Sequence, residues 1–207
     1  MDGGYDAHWD KVYLGNKAYF GDNPSGFGVE CCGVFKGLGV ESVLELGPGQ
    51  GRDAKLFMAH GMSVTGVDFS EVCKTQMTDA IPGVKVYCAD IRDGFDIPGG
   101  PFDACYSHML FTMDFTDGEL IRARDSVLAA VKPGGIVAFS VRNHDDAGFR
   151  VGRHVHGDVW ENKMGFKVRF FSKEGLDILT SGFESVKVWE FLEEGKRLYG
   201  VTMAKPF

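Results

Sequence analysis

The run Val43-Leu44-Glu45-Leu46-Gly47-Pro48-Gly49-Gln50-Gly51-Arg52-Asp53 constrains this chain more than any other stretch. An apolar, strand-like segment ends in a carboxylate, three glycines make a tight turn, and a helix-like pattern starts at once. Strand, glycine turn and helix in that order open a ligand crevice at the carboxyl end of a parallel sheet. Glycine has no Cβ, so a ligand can lie directly against such a turn.

The rest of the chain supplies the sheet. Short apolar runs, rich in Val and Ile or bounded by Gly, Pro or Asp, fall at 42–46, 63–67, 84–88, 102–106 and 135–141. Helix-like segments lie between them at about 52–60, 70–79 and 117–131. Strands alternating with helices need crossovers, which predicts a parallel sheet covered on both faces. Upstream, Ala7 to Phe20 mixes aromatic and polar residues at helical spacing. Asp22 to Gly26 forms a turn, and Pro24-Ser25 opens a second helix that Gly37 and Gly39 end. Downstream, Asn143 to Gly165 is a polar stretch with glycines and three histidines, read as a functional excursion. A helix at about 172–180 and strands at 184–191 and 197–205 follow, the last two joined as a hairpin that brings an antiparallel strand to one sheet edge.

The expected fold is therefore α/β, a Rossmann-like three-layer sandwich around a mostly parallel seven-stranded sheet. No linker or repeat divides the chain, so 1–207 reads as a single domain. Its parts are a helical lid segment (1–40), a cofactor-binding core (41–142), a substrate-side excursion (143–170) and a terminal helix and hairpin (171–207). A length of 207 residues suffices for one sizeable core, and 44% hydrophobic with 25% charged residues is ordinary for a soluble protein. The net charge of −7 argues against a phosphate-neutralising surface and hence against nucleic acid as a partner. Cys31, Cys32, Cys73, Cys88 and Cys105 form no Cys-x-x-Cys pair and read as free thiols in a reducing cytoplasm. No secretory pattern and no apolar run of membrane-spanning length is present, so a soluble cytoplasmic monomer or homodimer is expected, with no membrane partner.

Two cofactors compete for the glycine turn. A dinucleotide fingerprint needs Gly-x-Gly-x-x-Gly, but Gly47, Gly49 and Gly51 are spaced Gly-x-Gly-x-Gly and Arg52 stands where the third glycine would be. Glu45 before the turn favours a ligand with an ammonium group over a pyrophosphate. The second strand ends in Asp68, where a carboxylate can accept both hydroxyls of a ribose; hydrogen bonds to a charged group contribute about 1.5–3 kcal/mol. The third ends in Asp90-Ile91, an acid for an adenine amino group beside an apolar side chain for its ring.

With these residues in place, the chain resembles the class I S-adenosylmethionine-dependent methyltransferases over about 41–142. The resemblance rests on five ordered motifs: Glu45 to Gly51, Val67-Asp68-Phe69-Ser70, Ala89-Asp90-Ile91-Arg92-Asp93, Phe102 to Leu110, and Val131-Lys132-Pro133-Gly134-Gly135 with the strand after it. It implies S-adenosylmethionine as cofactor and a binding set of Glu45, Leu46, Gly47, Pro48, Gly49, Asp53, Asp68, Phe69, Asp90, Ile91, Ser107 and His108. A narrower likeness, to the tellurite-resistance and thiopurine-type methyltransferases, rests on Asn23-Pro24-Ser25, Gly51-Arg52-Asp53-Ala54, His60 to Ser70, Phe170 to Leu176 and Ala204-Lys205-Pro206. Gln50 departs from the Thr or Ser common there. Those families act on small, soft nucleophiles, which implies a small-molecule acceptor with an S, Se or Te centre.

Tyr5, His8, Trp9 and Tyr13 resemble the aromatic cover that related enzymes fold over the cofactor, so Trp9 and Tyr13 join the expected site; the alternative is an amphipathic helix packed on the sheet. His108, His144 and Arg142 are the candidate catalytic residues, placed by the ends of strands four and five. Arg153 and Arg169 are candidates to hold an anionic substrate group. Phe111, Met113 and Phe115 read as core or as pocket lining. His154, His156 and Asp158 fit no strong metal motif, and the chemistry needs no metal. The alternatives to a small-molecule methyltransferase are a protein or peptide methyltransferase and a cofactor-binding protein of the same fold without catalysis.

Overall fold

Two helices precede the sheet, α1 (Gly4–Gly15) and α2 (Gly26–Gly37). The structure, a computed structural model, describes residues 4–16, 19 and 21–207, with side chains from residue 9 onward. The Ser25 side chain caps α2 by accepting a hydrogen bond from the Gly28 amide at 2.8 Å, which satisfies one of the orphan donors of a helix start. The alternation then runs β1 (Ser42–Leu46), α3 (Arg52–Ala59), β2 (Ser63–Asp68), α4 (Glu71–Ala80), β3 (Lys85–Cys88), β4 (Phe102–His108), α5 (Asp117–Ala130) and β5 (Val131–Arg142). Thr116 and Glu119 form a capping box at the start of α5, each accepting from the other's backbone amide.

After β5 come β6 (Arg153–His156), β7 (Val159–Glu161), β8 (Lys167–Arg169), the short helix α6 (Asp177–Thr180), β9 (Glu184–Glu193) and β10 (Lys196–Ala204). The main sheet has the order β3-β2-β1-β4-β5-β10-β9. β1 to β5 pair in parallel, and β10 inserts antiparallel between β5 and β9. This is the mostly parallel seven-stranded sheet with an antiparallel hairpin that the sequence predicts. Strand order reverses between β1 and β4, and a crevice opens at such a switch point.

One apolar layer, with Leu44, Leu46, Phe139, Leu120 and Leu176, covers one face of the sheet. A second, with Phe27, Phe35, Phe57, Met77 and Tyr106, covers the other. Each such fully buried side chain contributes about 1.5–3 kcal/mol.

Two elements differ from expectation. The polar stretch after β5 contains β6, β7 and β8 as a small antiparallel sheet of its own, in the order β6-β7-β8. The helix expected over 172–180 is a 3-10 turn at Glu174–Leu176 running into α6, because Gly175 interrupts the first turn. No helix among the described residues is long and apolar enough to cross a membrane.

Candidate active site

The carboxyl ends of β1, β2, β4 and β5 surround a cavity of about 280 Å3. Glu45, Gly47, Pro48 and Gly49 form its floor, and Asp68 and Phe69 one wall. His108, Met109, Leu110, Met113 and Arg142 form the other wall, and Trp9 and Tyr13 of α1 close it together with Asn162, Met164, Phe166 and Val168. A smaller cavity shares Gly47, Asp68, Phe69, Leu110 and Met113 with it and extends to Ala89, Asp90, Ile91 and Arg92. Tyr5 and His8 lie outside the residues whose side chains are described.

The turn itself requires glycine at Gly47. Its φ is +63°, and a Cβ there would stand 2.8 Å from Leu110 Cδ1. Glu45 is 3% exposed, and its Oε2 has no hydrogen-bond partner among the described residues. Burial, reinforced by the Asp53 charge, pushes its carboxyl well above the usual range, with Arg52 pulling the other way. Asp68 is also buried; loss of solvent raises it to about 6, although the Ser70 amide donates to its Oδ1 at 3.0 Å. Two buried acids in one crevice are costly unless a ligand satisfies them.

The other expected binding residues divide. Asp53 lines the cavity, yet its oxygens are taken: the Ser25 amide donates at 2.7 Å, the Ser25 hydroxyl at 2.8 Å and the Tyr106 hydroxyl at 2.7 Å. It ties α2, α3 and β4 together beneath the crevice. Asp90 lies at the smaller cavity, but Arg92 grips it: Nε stands 2.9 and 2.8 Å from the two oxygens, and the Arg92 amide 2.9 Å from Oδ1. An adenine amino group there has to displace one of those N–H donors. Ile91 lines the same cavity. Leu46 is a core residue, and Ser107 is buried with a hydroxyl that has no partner among the described residues; neither lines either cavity.

His108 is held rigidly in the wall. Its ring stacks on Phe27 with centroids 5.7 Å apart, Nδ1 is 2.7 Å from Ser140 Oγ, and Nε2 is 3.9 Å from Glu193 Oε2. Burial keeps it below its usual pKa, against the pull of the Asp53 and Glu193 carboxylates. Arg142 also lines the cavity, ion-paired to Asp146 with its guanidinium 5.0 Å from the Phe170 ring centroid. His144 does not line it: the imidazole lies flat on Phe149 at 4.0 Å and bonds Asp158 at 3.2 Å. Arg153 pairs with Glu161, and Arg169 is fixed by the Phe115 carbonyl and Asp117; neither lines the cavity. Met113 lines both cavities and Phe115 the smaller one, whereas Phe111 packs in the core. His156 bonds Asp114 at 2.9 Å, apart from His154, and no cluster suited to a metal occurs among the described residues.

Several lining residues carry no signal of their own in the sequence. Gln50 joins the turn to the amino-terminal segment: it accepts from the Tyr19 amide at 2.8 Å and donates to the Asn16 carbonyl at 2.9 Å. Asn162, Met164, Phe166 and Lys196 reach the cavity from segments distant in the chain. Only the departure of Gln50 from Thr or Ser marked any of them beforehand.

Residues 43–135 match a family model described as a methyltransferase domain. That match spans less than half of the chain. No curated protein sequence matches the chain. Solved structures match it closely in fold. The chain superposes on the N-methyltransferase NodS from Bradyrhizobium japonicum, solved with S-adenosylhomocysteine, with a TM-score of 0.71, 16% identity and 98% of each chain covered. The 1,6-didemethyltoxoflavin-N1-methyltransferase of Burkholderia thailandensis, solved with its substrate and S-adenosylhomocysteine, gives 0.69 and 18% identity over 97% of this chain and 86% of that one. The 4+2 cyclase SpnF gives 0.70 and 18% identity over 97% and 95%. At these identities the likeness is one of fold, and the cyclase shows that the fold also hosts other reactions.

Proposed function

We propose that this protein transfers the methyl group of S-adenosylmethionine to a small-molecule acceptor. The observation that carries the reading is the buried Glu45 carboxyl on the cavity floor beside the glycine turn, whose Oε2 has no partner among the described residues. A bound sulfonium amino acid brings an ammonium group that compensates such a carboxylate, and Asp68 stands where a ribose diol is received. The residues present fit the cofactor there, with Gly47 giving it room against the backbone. At the adenine end the fit requires Arg92 to yield part of Asp90.

The cofactor supplies an electrophilic methyl whose bond to sulfur breaks, with its electrons, as the acceptor's lone pair forms the new bond. The chain's own contribution is alignment and exclusion of water, and proximity alone can supply about 7–11 kcal/mol. Trp9 and Phe166, 5.6 Å apart, roof the cavity and shield it. A concave site lined mostly by apolar side chains favours a small acceptor over a peptide. The sequence likeness to the tellurite-resistance and thiopurine-type enzymes supports a soft sulfur, selenium or tellurium nucleophile.

Release of S-adenosylhomocysteine, measured across thiols, selenite, tellurite, phenols, amines and peptides, tests the reading. Turnover with a small soft nucleophile is expected. Turnover with peptides alone, or binding without turnover on any acceptor, sinks it.

A further inference from the structure

We propose that the end of the cavity at β4 and β5 holds an anionic group of the acceptor through Arg142, and that His108 does not act as a base there. The proposal rests on the methyltransferase reading and narrows its acceptor to a small apolar molecule that carries a carboxylate beside an already ionised nucleophile.

Hydrogen accounting at Ser140 fixes the state of His108. Ser140 is fully buried. Its Oγ accepts the Met109 amide at 3.1 Å, and Nδ1 of His108, at 2.7 Å, is its other partner among the described residues. The serine hydroxyl has one proton, and among the described residues Nδ1 is the acceptor that proton finds. A neutral imidazole whose Nδ1 accepts carries its own proton on Nε2, which is buried, 3.9 Å from Glu193 Oε2 and without a hydrogen-bond partner among the described residues. With the Nδ1 lone pair taken by the serine proton and Nε2 already protonated, His108 offers no lone pair with which to take a proton from an acceptor. Glu193 is engaged as well, receiving the Gly26 amide at 2.8 Å and the Phe27 amide at 3.3 Å.

Arg142 has the opposite character. It follows Ser140 by two positions in β5, so the two share a face, and β4 pairs alongside with His108 opposite Ser140. One of its N–H groups serves Asp146, which also receives the Gly148 and Arg197 amides. Nε is buried and has no partner among the described residues. A guanidinium has five donors, and one that lines an apolar cavity with Nε unsatisfied calls for an acceptor oxygen from the occupant. Lys196 lines the same end, with its ammonium paired to Glu194 at 2.9 Å. The acids Glu45 and Asp68 thus lie toward β1 and β2, and the guanidinium with the unsatisfied Nε lies at the end of β5. A nucleophile that arrives as an anion, such as a thiolate, needs no base, which agrees with the absence of a free lone pair on His108.

The test uses 2-mercaptobenzoate and 2-mercaptobenzamide, titrated into the full-length protein with and without S-adenosylhomocysteine. The carboxylate is expected to bind at least about tenfold more tightly than the amide, and Arg142→Gln to erase that ratio while S-adenosylhomocysteine still binds. Arg142→Lys, which keeps the charge, restores part of it. Equal affinities, no binding of either probe, or a ratio that survives in Arg142→Gln overturns the proposal. Long-range proton–nitrogen NMR on histidine-labelled protein reads the second leg without any ligand. It should show His108 protonated on Nε2, with Ser140→Ala releasing that preference; protonation on Nδ1 in the unsubstituted protein overturns it. Loss of S-adenosylhomocysteine binding itself would instead strike the methyltransferase reading.

Discussion

Trp9 of α1 packs against Phe166 of the β7–β8 connection with ring centroids 5.6 Å apart and planes inclined by 56°, so the two ends of the cavity roof meet in one contact. α1 is held from below as well: Ser70 Oγ donates to Asp10 at 2.5 Å, and Gln76 Nε2 donates to the Tyr13 carbonyl at 3.0 Å. The roof is therefore a shared structure of the amino-terminal segment and the excursion, resting on the start of α4.

A double-mutant cycle reads that contact directly. Trp9→Ala and Phe166→Ala should each weaken S-adenosylhomocysteine binding. Together they should show a coupling of about 0.5–1.5 kcal/mol, the range for an aromatic pair. Strictly additive effects in calorimetric titrations would mean that the two rings act separately.

The buried acids predict a pH effect of definite sign. Asp68 ionises near 6 in the folded protein against 3.8 for the free side chain. The native state therefore holds more protons than the unfolded one between those values, and stability falls as pH rises through that window. The ligand-free protein should lose up to about 3 kcal/mol from this group between pH 4 and pH 6.5. Asp68→Asn should flatten that decline in denaturant melts while weakening cofactor binding. A melt in which the ligand-free protein grows more stable over that window contradicts the assignment.

Asp53 gives a contrasting prediction. It receives Ser25 and Tyr106 beneath the crevice. Tyr106→Phe should lower stability by about 1.5–3 kcal/mol, the contribution of a hydrogen bond to a charged group, with little change in ligand affinity once folded. Gly28→Ala should act in the same place, because its new Cβ would stand 2.7 Å from Asp53 Oδ1. A large affinity loss in folded Tyr106→Phe would return Asp53 to the binding set.

What could be read from the sequence was local. The strands of the main sheet are short Val-rich runs closed by Gly or Asp, and the turn at Gly47 to Gly51 announces its own backbone, so the sheet and the positions of Glu45 and Asp68 were legible. The Arg92 grip on Asp90 spans only two residues, yet an acid at a strand end reads equally as a ligand or as the cap of a 3-10 turn, which Asp90 also is. The partners of Asp53 lie 28 and 53 positions away, and no pattern announces them. The strands β6 to β8 are three or four residues each and mix His, Arg, Trp and Lys, too short and too polar for a period-2 signal. His144 failed to reach the cavity for a similar reason: its stacking on Phe149 is a contact across the loop that follows β5.

Gly47→Ala tests the floor of the site. Its φ of +63° and the 2.8 Å approach to Leu110 Cδ1 leave no room for a methyl group without movement. Affinity for S-adenosylhomocysteine should fall at least about tenfold, with a smaller loss of stability, because the strain falls where the ligand would lie. Unchanged affinity would mean that the turn is a mere chain reversal.

The most direct test of the whole account is calorimetric titration of S-adenosylmethionine into the unsubstituted protein and into Asp68→Ala. Saturable one-to-one binding by the first and loss of most of it in the second are expected. Absence of binding by the unsubstituted protein, or full retention in Asp68→Ala, would contradict it.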